Sequence, residues 1–178
     1  MQTILVPTDG SEAAERAIEV ALDLALQHSA KIKLLHALLR NKEPGELLRL
    51  PDVSAAGHEV VRELKRLQQM PVAPPSAEEM MDNPDSILRP VSELVLRMIG
   101  NHVLKRASGR AAERGLFTEL LELADTAPAH AIVVAAEAEG ADTIVMGMRG
   151  LSLSDMVIIG SVSQEVCRTA ACTCIAVH

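Results

Sequence analysis

Four residues, Gly147, Gly150, Gly160 and Ser161, stand at the spacing G-x2-G-x9-G-S within GMRGLSLSDMVIIGSVSQEV, residues 147–166. Glycine lets a backbone turn sharply and approach a ligand with no Cβ in the way. Ser161 and Gln164 have the S-x-x-Q form of a capping box, which fixes a helix start. The unpaired N–H groups and positive dipole end of such a start favour an anion, and the hydroxyls of Ser161 and Ser163 can add donors. That chemistry suits phosphate oxygens. Ordinary turn chemistry explains the same residues, because glycines and an N-cap serine occur wherever a strand turns into a helix. A second polar cluster, PTDGSE at residues 7–12, places Asp9 at another strand end. There, too, an Asp before Gly-Ser reads as a turn or cap residue or as a ligand contact.

The elements that must position these groups alternate along the chain. TILVP (3–7) is a short apolar run that suits a buried strand, and from Ser11 onward Ala14, Ala17, Ile18, Ala21, Leu22 and Ala25 mark one face of a helix. KIKLLHAL (31–38) reads as a second strand, completing a βαβ unit. Residues 40–90 are interrupted by prolines at 44, 51, 71, 74, 75, 84 and 90, and read as an insertion with helix in pieces, the best being 58–69. A long helix resumes at about Val91, with an irregularity expected at Gly100. FTELLEL (117–123) predicts a third strand, Pro128 a helix start, DTIVMG (142–147) a fourth strand, VSQEVCRTA (162–170) a helix and CTCIAVH (172–178) a fifth strand.

This alternation predicts an α/β fold: an open, Rossmann-like parallel sheet of five strands with helices on both faces. In the order 3-2-1-4-5, strands 1 and 4 are neighbours where the order reverses, the place where such sheets bind ligands. Asp9 and the glycine stretch would then face each other across one crevice. The 178 residues, 48% of them hydrophobic, predict one well-buried domain spanning 1–178, with the proline-rich insertion at about 40–90.

Several classes of function fit poorly. A net charge of −7 and a single aromatic residue, Phe117, offer neither an electrostatic footprint nor a stacking platform for nucleic acid. Charges at Asp9, Glu12 and Glu15 interrupt any apolar leader, so the expectation is a cytoplasmic protein without a membrane span. The cysteines, Cys167, Cys172 and Cys174, match no common zinc spacing and read as small buried hydrophobes. His36 reads as a packed residue of its strand, and the remaining histidines lack ligand spacing.

The signature at Gly147, Gly150, Gly160 and Ser161, the helix start GSVSQEV and the opening PTDGSEAAERAIEVA together resemble the universal stress protein family, over roughly residues 2–40 and 91–178. The resemblance implies a Rossmann-like domain, a homodimer pairing through the last strand, and membership of the branch that binds ATP. It further implies that Asp9, with Pro7, Thr8 and Met146, contacts the adenosine end, while Gly147, Gly150, Gly160, Ser161, Val162 and Ser163 line the ribose and phosphate path. The chain departs from many relatives in having no Lys or Arg in LSLSDMVII, so Arg149 is the one cation inside the signature. AMP, ADP, or ATP with magnesium or manganese bridging its phosphates are the ligands this departure suggests. Thr173 stands where the family usually has proline.

The favoured reading is an adenine-nucleotide-binding regulator of the stress-response type, with no catalytic residue and no protein-held metal. Two alternatives stand beside it: a slow metal-dependent ATP hydrolase using Asp9 or Asp155, and a nucleotide-free interaction scaffold. The chain contains no P-loop G-x4-G-K-[ST], so efficient phosphoryl transfer is not expected. The insertion is expected either to close over the ligand as a lid or to extend the dimer interface.

Overall fold

The computed structural model describes residues 1–51, 53–71, 91–151 and 160–178. Strand β1 (Thr3–Pro7) leads through a polar turn to helix α1 (Glu12–His28), whose N-cap Ser11 accepts a hydrogen bond from the Ala14 N–H. Helix α1 ends at Ser29, in the left-handed region at φ 52, and strand β2 (Lys31–Leu35) follows. The insertion contributes a short helix α2 (Pro44–Leu47), a 3-10 turn (Val53–Ala56) and helix α3 (His58–Gln69). Helix α4 (Glu93–Glu113) is capped by Ser92 and precedes β3 (Thr118–Leu120) and α5 (Pro128–Ala138). Strand β4 (Thr143–Gly147), helix α6 (Ser161–Thr169) and strand β5 (Thr173–Val177) complete the order.

All the strands pair in parallel, in the order β3-β2-β1-β4-β5, which is the open α/β sheet the alternation predicts. Side chains of one strand point to opposite faces in turn. Ile4 and Val6 of β1 and Val145 of β4 therefore pack against α1 and α4, in a cluster with Ile18, Leu22, Leu104 and Ala107. Leu5, Ile144 and Met146 face the other way, against Ile132 and Ala136 of α5 and Val166 of α6. The insertion builds a third apolar cluster: Leu47, Leu50, Val53, Val60 and Leu64 close on Leu96, Ile99 and Val103 of α4. Along the seam between α1 and α4, Glu15, Glu19 and Asp23 face Arg106, Arg110 and Arg114, both sets recurring every four residues. No helix among the described residues is long and apolar enough to cross a membrane.

Several boundaries differ from the sequence reading, for physical reasons. Strand β3 covers three residues rather than the expected 117–123, because its ladder with β2 thins after Leu120 to the Leu121 N–H on the Leu34 carbonyl and a lone bridge at Ala124; Phe117 is left 97% exposed. Strand β2 ends at Leu35, after which one bridge joins Ala37 to Ala124. Helix α4 runs through Gly100 without a break; a Cβ there would stand 2.7 Å from His36 Cδ2, so this glycine serves close packing instead. Cys167 is exposed and Cys172 and Cys174 are half-buried, so none of the three is the fully buried hydrophobe expected. Burial pushes the Cys174 thiol up to about 11, with Cys167 beside it adding to the shift.

Candidate functional site

The carboxyl ends of β1, β2 and β4 open into one cleft of about 400 Å³. Each wall follows from an element already placed. Pro7, Thr8 and Asp9 come from the turn after β1; Leu35 from the end of β2; Met146 to Leu151 from β4 and the chain beyond it; Gly160 to Ser163 from the start of α6; and Pro128 and Ile132 from α5. Every residue expected to contact a ligand lies on this cleft: Pro7, Thr8, Asp9, Met146, Gly147, Arg149, Gly150, Gly160, Ser161, Val162 and Ser163. Asp155 lies outside the described residues.

The turn after β1 is held by its own polar groups. Gly10 N–H donates to Thr8 Oγ1 at 3.3 Å, Ser11 N–H donates to Asp9 Oδ1 at 3.0 Å, and Thr8 N–H donates to the Leu35 carbonyl at 2.9 Å. Gly10 sits at φ +80 and is enclosed by Val103 and Leu50, so the insertion and α4 brace the turn from behind. The second carboxylate oxygen, Asp9 Oδ2, projects across to the far wall, where a Cβ on Gly150 would lie 2.6 Å from it. The two ends of the crevice therefore meet in the way the strand order requires.

The glycines do more specific work than general flexibility. A Cβ on Gly147 would stand 2.9 Å from the Ala13 carbonyl carbon and the Ala14 nitrogen, so Gly147 lets β4 press against the start of α1. Gly160 N–H donates to the Met148 carbonyl at 2.8 Å, and Ser163 Oγ lies 2.7 Å from the same oxygen and 2.9 Å from the Gly160 carbonyl. Ser163 is 3% exposed and its hydroxyl proton is shared between those two carbonyls. It shapes the cradle and has no proton left to donate outward.

The expected Ser161 capping box does not form. Gly160 is the N-cap, extended at φ −68 and ψ 150, and its carbonyl accepts the first intrahelical bond, from Gln164 N–H at 3.0 Å. Ser161 is thus the first helical residue, and no side chain caps α6. The N–H groups of a helix's first turn lack intrahelical acceptors, and with no side chain capping α6 this helix end, which lines the cleft, has the chemistry to hold an anion.

Sequence reasoning missed Leu39, Asn41 and Lys42, which line the cleft from the segment after β2. Lys42 is a second cation beside Arg149, paired at 3.4 Å with Glu46. The signal was available in part: the strand order puts whatever follows β2 on the same rim as the glycines. Among the described residues no group of three His, Cys, Asp or Glu side chains is placed to hold a metal.

The universal stress protein family model matches residues 1–178. The chain belongs to the universal stress protein family. Among universal stress proteins of known sequence, one from Thermus aquaticus is 30% identical over 171 residues, covering 96% of this chain and 94% of that protein. YxiE of Bacillus subtilis is 27% identical over 169 residues, covering 95% and 93%. Solved structures carry the same fold. The universal stress protein UspA from Lactobacillus plantarum superposes with a TM-score of 0.64 at 20% identity, covering 99% of this chain and 97% of that one. A universal stress protein in complex with cAMP gives 0.58 at 24% identity, covering 99% and 97%. An Arabidopsis thaliana member with AMP bound gives 0.57 at 17% identity, covering 99% and 91%.

Proposed function

We propose that the cleft binds an adenine nucleotide and that this universal stress protein acts as a nucleotide-dependent regulator. The observation that carries the reading is the convergence of Asp9, the glycine wall at Gly147 and Gly150, and the uncapped start of α6 at Gly160 to Ser163 on one cleft. The AMP and cAMP complexes of proteins with this fold support the choice of ligand class. In this assignment Pro7, Thr8, Asp9 and Met146 hold the adenosine end. Gly147, Arg149, Gly150, Gly160, Ser161, Val162 and Ser163 line the ribose and phosphate path. Among the described lining residues the cations are Arg149 and Lys42, and Asp9 turns a carboxylate oxygen toward Gly150. A triphosphate beside that carboxylate calls for a bridging divalent cation, so the ligand proposed is ATP with magnesium or manganese, with ADP and AMP as the less charged variants.

The proposal extends to regulation through a dimer, which the edge of the sheet supports. Strand β5 is paired on one side only, by β4, and its residues are half-buried to exposed. An unpaired edge of this kind is a template for a second chain, which supports a homodimer formed through the C-terminal strand.

The test starts from protein as purified. Denaturation, followed by chromatography and mass measurement of whatever is released, identifies a resident nucleotide. Titration with ATP, ADP and AMP, with and without magnesium or manganese, then ranks them. Adenine nucleotide recovered or bound in the micromolar range or tighter is the expected outcome. Folded protein that is empty and indifferent to all three would instead favour a ligand-free scaffold.

A further inference from the structure

His36 lies one residue beyond β2, with its ring 1% exposed. Its Nδ1 is 2.9 Å from the Thr8 carbonyl oxygen. A carbonyl can only accept, so Nδ1 carries the proton, and in the neutral ring Nε2 is a bare acceptor. Nε2 is buried and has no hydrogen-bond partner. The ring occupies a slot against α4 that exists because residue 100 is glycine: a Cβ there would lie 2.7 Å from His36 Cδ2 and 3.2 Å from Nε2, with Leu123 Cδ2 at 2.9 Å.

A stranded buried acceptor costs stability, about 1–3 kcal/mol in ordinary cases. Leucine would fill the same slot without that cost, so packing alone gains nothing from an imidazole here. What the imidazole adds is its hydrogen bond, and that bond ends on the wall of the cleft. Thr8 N–H is already tied to the Leu35 carbonyl, so the His36 contact fixes the other side of the same residue. From Thr8 the restraint passes through the Gly10 and Ser11 N–H bonds to Asp9, whose free oxygen meets the Gly150 wall.

We propose that His36 is a positioning residue for the nucleotide cleft: as a neutral ring protonated on Nδ1, it anchors the Thr8 carbonyl and so sets Asp9 against Gly150. This assignment rests on the nucleotide reading of the cleft. His36 is not among the cleft's lining residues and acts only through the turn.

Two measurements on the full chain test it. The first is the nitrogen-15 spectrum of the histidine rings, which distinguishes the two tautomers without any ligand; a proton on Nδ1 of His36 is expected, and a proton on Nε2 overturns the assignment. The second compares ATP affinity and melting temperature for wild type, His36→Asn and His36→Leu. Asparagine places an amide N–H near the Nδ1 position, whereas leucine offers no donor. His36→Asn is expected to bind within about threefold of wild type, and His36→Leu to bind about tenfold more weakly, although its melting temperature is no lower than that of the Asn variant. Should His36→Leu fail to fold, Gly100→Ala displaces the ring while leaving every cleft residue unchanged, and the same loss is expected. Equal binding by wild type and His36→Leu, or equal loss in both His36 variants, overturns the assignment while leaving the nucleotide reading intact. Wild-type protein with no affinity for adenine nucleotides overturns both.

Discussion

At the scale of single residues, the contact between Asp9 and Gly150 decides the most. Adding one methyl group at position 150 places it 2.6 Å from Asp9 Oδ2 and 3.8 Å from Cγ, while no backbone atom of another segment stands as near. The side chain of Asp9 can rotate away, so Gly150→Ala is expected to fold and melt close to wild type. Its affinity for ATP should fall about tenfold, the value of one charged hydrogen bond, and calorimetric titration measures it. His36 gives a second residue-scale expectation. Burial pushes its pKa below the ordinary histidine value of 6.5, against smaller opposing effects of the Thr8 carbonyl and the Asp9 charge. The unfolded chain therefore takes up a proton that the folded chain refuses. The stability contribution is complete above pH 6.5 and is lost as the pH falls below it, by about 1.4 kcal/mol per pH unit until the folded ring titrates. Urea denaturation at several pH values between 5 and 7 should show His36→Asn with a flatter profile than wild type. The stranded Nε2 was not legible in the sequence, because it depends on His36 and the distant Gly100 meeting in space, whereas the strand order did set Asp9 opposite the glycine stretch. The type and the location of the glycines were legible, and so was Asp9 opposite them; the packing of Gly147 on Ala13 and of Gly100 on His36 was not.

Elements were read more reliably, for reasons that are local. Alternation of apolar runs and helical faces, punctuated by Ser11, Pro128 and Gly140, is written in consecutive residues, and α1, α5 and β4 lie where those signals put them. Element ends depend instead on partners. Strand β3 stops after three residues where its ladder with β2 thins to single contacts, and α6 begins at Ser161 because the Gly160 carbonyl, not the serine hydroxyl, receives the first bond. The insertion shows the same limit. Its prolines mark it as irregular, yet α3 has its buried face, Val60 and Leu64, pressed into a cluster with α4 that no local pattern predicts. Leu64 is fully buried there. Leu64→Ala is expected to cost about 2–5 kcal/mol, through lost burial and the cavity left behind, and thermal unfolding measures the loss. Because Leu50 of the same cluster braces Gly10, this variant should also weaken ATP binding, unlike a truncation of equal cost at Leu22 of α1, which is buried away from the cleft.

For the molecule as a whole, the cleft is built from parts far apart in sequence: the β1 turn, the rim after β2, the β4 end and the start of α6. A ligand bound across all of them stabilises the folded state by mass action. ATP at a hundred times its dissociation constant should add about 2.7 kcal/mol. A rise in melting temperature with ATP and magnesium is the expected result, and in Gly150→Ala at the same concentration the stabilisation should be about half as large, about 1.4 kcal/mol. The sheet order and the place of its reversal were legible from the alternation of elements, and they located the cleft. The contribution of Leu39, Asn41 and Lys42 was not, because it depends on how the chain folds back after leaving β2.

The Met148 carbonyl receives both the Gly160 N–H and the Ser163 hydroxyl, while Met148 N–H is itself bound to Val177 on β5 at 2.6 Å. The chain that runs on from Met148 along the cleft wall is therefore tied back to that same residue at Gly160, through a neck sutured to the sheet. Lengthening the stretch between those two residues adds little closure entropy, about 0.6 kcal/mol for each doubling. Both anchors at Met148 stay in place when the chain between Leu151 and Gly160 is exchanged, so such a graft is expected to fold, with thermal unfolding as the check.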